Sequence, residues 1–172
     1  MKIILVAHEP AHCEFMSGLI PHFLKLGIKV SEFFFDGDWV ISEETLKFLY
    51  EQLSSPNEKK VAVLSGMCFG NERHGEIDPP PYEYEAICRA SMLQIPFGFY
   101  GEYWPNGNWT GRYWFTRFLD EARVFIGPDW CEKSTPLMGL IKKSYPRSDF
   151  ALVGTPAGTA EMLAYTLLGP TL

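Results

Sequence analysis

The chain has 172 residues, of which 47% are hydrophobic and 21% charged. This suits one folded domain with its own core rather than a disordered or disulfide-stapled chain. The formal net charge is −6, and the basic residues make only pairs such as Lys59-Lys60 and Lys142-Lys143. That argues against a nucleic-acid or anionic-membrane surface, because phosphate neutralisation needs a basic footprint. Cys13, Cys68, Cys88 and Cys131 form no C-x-x-C pair and are expected as free thiols in a reducing, cytoplasmic setting. The apolar run at the N-terminus is too short for a secretory signal or a bilayer span. In that compartment the sequon Asn108-Trp109-Thr110 would not be modified.

Ile3 to Ala7 is continuously apolar, as a central strand covered on both faces should be. Phe15, Met16, Leu19, Ile20, Phe23 and Leu24 recur at helical spacing, and Gly27 closes the segment. Pro21 lies inside it and predicts a kink or an irregular first half. Lys29 to Phe35 reads as a second strand. Ser42 followed by Glu43 and Glu44 reads as a helix start. Val61 to Leu64 is a third strand, and Gly66 to Pro81 reads as a polar, proline-rich loop. Further expected elements are a helix over 84–93, a strand over 97–101, an aromatic loop over 102–114 and a helix over 115–122. A strand over 124–126, a helix over 136–144, a strand over 150–153 and a helix over 159–168 complete the chain. Strands alternate with helices from end to end. The pattern predicts a single three-layer α/β/α domain over 1–172 with a mainly parallel sheet, Rossmann-like or flavodoxin-like.

In such sheets, ligands bind beyond the carboxyl ends of strands. Here those ends carry His8-Glu9-Pro10, Asp36-Gly37-Asp38, Ser65 to Asn71, Gly101-Glu102-Tyr103, Gly127-Pro128-Asp129 and Gly154 to Thr159. His8-Glu9-Pro10-Ala11-His12 matches H-E-x-x-H. The motif leaves a strand and contains a proline, so a zinc-protease helix is not expected, and His8 reads as a pocket residue. Gly66-Met67-Cys68-Phe69-Gly70 follows a strand in the G-x-C-x-G form of a nucleophile elbow. It resembles class I glutamine amidotransferases. Their downstream His and Glu pair has no counterpart here, because His74 is the last histidine. Cys68 would have to draw on His8 or His12.

Residues 8–30 run from His-Glu-Pro-Ala-His to Leu-Gly-Ile-Lys-Val, and residues 149–170 contain Gly154-Thr155-Pro156-Ala157-Gly158-Thr159-Ala160-Glu161. The two segments resemble the acceptor-half opening and the donor-site signature of GT-B-type glycosyltransferases. The second is also similar to a segment of nucleoside 2-deoxyribosyltransferases. The resemblance implies a helix opened by Gly158 and Thr159 that holds a phosphate or sugar oxygen, with Glu161 on a sugar hydroxyl.

Five large rings lie between positions 103 and 114: Tyr103, Trp104, Trp109, Tyr113 and Trp114. They suit stacking on a base or sugar, or packing in the core or between subunits. The leading expectation is an enzyme acting on a glycosidic bond of a nucleotide sugar or nucleoside. Gly158, Thr159, Glu161, Glu102, Tyr103 and Trp104 would bind substrate. His8, Glu9 or Asp36 would act as general acid or base. No metal or cofactor is required. The second expectation is a cysteine-dependent hydrolase or amidotransferase-like protein using Cys68. The third is a non-enzymatic ligand-binding or assembly domain, with a homo-oligomer built on the aromatics.

Overall fold

The computed structural model describes residues 1–35, 40–55, 57–67, 71–73, 76–101, 114–118, 120–127, 149–152 and 154–169. The strands are β1 (Lys2–Ala7), β2 (Lys29–Phe34), β3 (Val61–Gly66), β4 (Asn71–Arg73), β5 (Glu76–Asp78), β6 (Phe97–Tyr100), β7 (Val124–Gly127) and β8 (Asp149–Leu152). The helices are α1 (Pro10–Lys25), α2 (Glu43–Leu53), α3 (Pro81–Met92) and α4 (Pro156–Leu163). Six strands form one sheet in the order β2-β1-β3-β6-β7-β8, and every pairing in it is parallel. Of the two expected arrangements this is the flavodoxin-like one, with a further strand at the β8 edge.

The sheet is covered on both faces. Side chains alternate along each strand, so Ile3, Leu5 and Ala7 of β1 join one core while Ile4 and Val6 join the other. The first core packs under α1 and α4 and is mainly aliphatic, with Met16, Leu19, Phe23, Ala160 and Leu163. The second packs under α2 and α3 and is aromatic. In it Phe99 stacks on Phe125 at 5.7 Å and meets Trp114 edge-on at 5.9 Å. Each of these buried rings contributes on the order of 1.5–3 kcal/mol through lost apolar exposure.

The helix boundaries follow local chemistry. Gly27 has φ of 73° and ends α1 as a left-handed glycine. Ser42 caps α2, its Oγ accepting from the Thr45 N–H at 3.4 Å. Pro81 opens α3 at a position where a missing N–H costs nothing.

Several expectations are corrected. α1 starts at Pro10, five residues before the apolar periodicity begins, so its first half is regular helix, and Pro21 lies inside it. The expected loop over 66–81 contains the antiparallel hairpin β4–β5. Its polar segments Asn-Glu-Arg and Glu-Ile-Asp carry no apolar alternation to betray a strand. Trp114 leaves the aromatic loop and enters the core in a 3₁₀ turn over Trp114–Phe118, where a helix over 115–122 was expected. The last helix begins at Pro156, not Thr159, and finishes in a π-helical turn over Ala164–Leu168. The helix expected over 136–144 lies outside the described residues.

Gly98 of β6 tests the packing of the sheet. A Cβ there would lie 2.6 Å from Val124 Cγ1 and 2.9 Å from the Val124 carbonyl oxygen. Gly98→Ala should therefore destabilise the protein by about 1–3 kcal/mol through overpacking, measured by urea denaturation.

Candidate functional site

From β1 the chain winds outward to β2; from β3 it winds the other way through β6 and β7. The reversal makes a topological switch point beyond the carboxyl ends of β1 and β3, the place where ligands settle in this class of sheet. Val6 lies opposite Ser65 in the register, so His8 and Glu9 leave β1 alongside Gly66 and Met67. α1 and α3 both begin here, on opposite faces of the sheet. Neither N-cap residue, Glu9 nor Pro80, offers its helix a side-chain acceptor.

The central contact is between His8 and Glu83. His8 Nδ1 lies 3.0 Å from Glu83 Oε2, and both side chains are buried. Glu83 sits in the first turn of α3 and is buried, its side chain 1% exposed. Burial is the largest influence on its carboxyl and pushes its pKa up to about 7, against the opposing pull of the His8 hydrogen bond and charge. Burial alone would lower the pKa of His8, but the Glu83 hydrogen bond and the charges of Glu83 and Glu9 outweigh it and the net shift is upward. Both shifts are upward, so each group holds its proton to higher pH than it would in water, and a proton between them on the carboxyl or on the imidazole makes the same short contact.

His12 completes the cluster from α1. It is buried; its Nε2 lies 3.5 Å from Glu9 Oε2, and its ring meets the edge of Tyr100 at 5.2 Å. Tyr100 in turn stacks on Phe15 at 3.8 Å. Gly66 is where the two faces of the sheet converge. A Cβ at Gly66 would stand 2.6 Å from His12 Nδ1 and 2.7 Å from Glu83 Oε1. Only a residue without a side chain leaves room for both groups. Glu83 Oε1 is buried with no hydrogen-bond partner among the described residues.

The structure treats the expected site residues differently. His8 and Glu9 stand together at the end of β1, with Glu9 at 41% side-chain exposure. His8 lies outside α1 and His12 inside it, so the H-E-x-x-H residues do not share one helical face. Thr155, not Gly158 or Thr159, caps α4; its Oγ1 accepts from the Gly158 N–H at 3.2 Å and its carbonyl from the Thr159 N–H at 2.9 Å. The buried Thr159 Oγ1 accepts from the Gly154 N–H at 3.2 Å. These donors are engaged within the helix start itself. Glu161 faces the far half of α1, in a groove shared with His22, Lys25, Leu26 and Ala157. His22 is about 15 Å along the helix from His12 at the usual rise, so Glu161 is not brought to His8. Asp36, Cys68, Glu102, Tyr103 and Trp104 lie outside the described residues.

Glu83 is the residue that sequence reading missed. Its one signal is position: with Ala86, Ile87 and Ala90 it repeats at 3, 4 and 7 residues, placing a carboxylate on the apolar stripe of a helix. No protein-family model and no curated protein sequence matches the chain.

Two measurements test this site. Glu83 is raised from 4.5 to about 7, so its protonated form favours folding. The stability it contributes is present below about pH 4.5 and lost as pH rises through about 7. The raised pKa of His8 acts in the same direction from 6.5 upward. Thermal unfolding across pH 4–8 should show this decline in the parent and a flatter profile in Glu83→Gln; equal profiles would refute the raised pKa of Glu83. Gly66→Ala should cost about 1–3 kcal/mol by crowding and should shift the His8 titration seen by NMR.

Proposed function

We propose that the protein is an enzyme that binds a nucleoside or nucleotide sugar beyond the carboxyl ends of β1 and β3 and transfers a proton at its glycosidic bond. The observation that carries this reading is the buried Glu83 carboxyl against His8 Nδ1 at the topological switch point. Breaking a glycosidic bond leaves charge on the departing group, and a proton delivered there lowers the barrier, while water or an acceptor hydroxyl bonds to the anomeric carbon and gives up its own proton. An imidazole with a raised pKa is suited to that delivery near neutral pH. Glu83 acts as a positioning residue. It fixes the ring through Nδ1 and stabilises the imidazolium. The half-exposed Glu9 supplies an acceptor for a sugar hydroxyl. The starts of α1 and α3, without side-chain caps, suit a phosphate. In this reading Asp36, Glu102, Tyr103 and Trp104, which follow β2 and β6 in the sequence, contact the ligand. Gly158, Thr159 and Glu161 have at most an indirect part in it.

The test is a panel of nucleosides, nucleoside monophosphates and nucleotide sugars, with release of base or sugar followed by chromatography. His8→Gln should lower kcat at least 100-fold, within the usual range for losing an acid–base group. Glu83→Gln should lower kcat less and move the pH–rate profile. If no member of the panel is turned over or raises Tm, the reading is wrong.

A second reading is favoured by the same pair. Cys68 follows β3 by two residues, and His8 with Glu83 supplies the base and orienting carboxylate that the amidotransferase pattern lacks downstream. A thiolate activated by this pair would alkylate with iodoacetamide at pH 6–7 and lose that reactivity in His8→Gln. Labelling of Cys68 like an ordinary thiol would remove this reading.

A further inference from the structure

We propose that the opposite, amino edge of the sheet carries a separate binding site for a small organic anion with an apolar body. A cavity of about 740 Å³ opens there, within the range of small-molecule sites. Its inner wall is apolar and includes Leu53, Val61, Ile95, Pro96 and Leu168. Its polar lining includes three cations, Lys59, Lys60 and Arg123.

The topology explains why these groups meet. Lys60, Pro96 and Arg123 each immediately precede a strand, and those strands, β3, β6 and β7, are neighbours. In a parallel sheet their starts line up along one edge. Lys60 Nζ lies 3.5 Å from where a Cβ on Gly169, another lining residue, would sit. The acid on the rim, Glu58, is already engaged. It binds Lys29 Nζ at 2.6 Å and the N-terminal ammonium at 3.1 Å. Among the described residues none of the three cations has an ion-pair partner. The end of α3 does not need them either. The Arg89, Ala90 and Ser91 carbonyls accept from the N–H groups of Leu93, Ile95 and Gln94. The result is a local excess of positive charge over an apolar wall, on a chain of net charge −6. A carboxylate or similar anion with a hydrocarbon body matches both halves of the cavity. A neutral hydrocarbon leaves the cations unanswered, and a bare inorganic anion leaves the apolar wall wet.

Isothermal titration of the full chain with octanoate and with 1-octanol tests this. Octanoate should bind at one site and 1-octanol at least tenfold more weakly. The double variant Lys60→Glu, Arg123→Glu should weaken octanoate at least tenfold. Ser54→Trp, which keeps every charge and narrows the mouth, should also weaken it, and decides alone should the charge variant not fold. His8→Gln should change nothing, which separates this site from the carboxyl-edge reading. Absence of octanoate binding, equal affinity for the alcohol, or unchanged affinity in the folded variants would overturn the proposal.

Discussion

A buried carboxyl group organises the carboxyl edge of this sheet. Burying Glu83 strips its water, and its energy then depends on whether a proton or a partner is at hand. His8 supplies both, from the end of β1. The neighbouring Tyr82 adds a second tie from the same helical turn. Its hydroxyl accepts from the Ser42 N–H at 2.6 Å and donates to the Val40 carbonyl at 3.3 Å, while its ring stacks on Phe35 at 3.6 Å. The first turn of α3 therefore anchors three separate pieces of chain: the end of β1, the approach to α2 and the end of β2. A small displacement of that turn would disturb all of them at once, because close-packed interiors do not absorb such shifts.

The two faces of the sheet meet this requirement from different sides. Glu83 belongs to the aromatic layer and His12 to the aliphatic one, yet both reach Gly66. This is possible only at the end of a strand, where the sheet no longer separates its two faces. It also explains why ionisable side chains collect there. Within the sheet, β1 and β3 are buried along nearly their whole length, and a charge without a partner there would be costly.

The two edges differ in chemistry for the same topological reason. Parallel strands place all their carboxyl ends on one side and all their amino ends on the other. The carboxyl side gathers His8, Glu9, His12 and Glu83. The amino side gathers Lys59, Lys60 and Arg123 around a roomy cavity. One layer of strands thus separates an acid–base cluster from a cationic one.

Much of the fold was legible in the sequence because strand and helix periods are local. The apolar run at Ile3–Ala7, the Ser42 cap and the Gly27 stop each depend on residues a few positions apart, and each lies where the pattern put it. The location of His8 and Glu9 at a strand end followed from the same local reading. What the sequence could not decide is which distant residues meet there. Glu83 lies 75 positions from His8 and belongs to no motif, so its role arises only when the switch in winding direction brings α3 beside β1. The Gly158-Thr159 segment shows the converse. Its pattern suggested an open helix start, but Thr155 occupies the Gly158 and Thr159 N–H groups, and packing of α4 along α1 turns Glu161 away from His8. Local propensity determined the elements and the strand ends. The order in which parallel strands pair, a property of the whole chain, decided which side chains could share a proton.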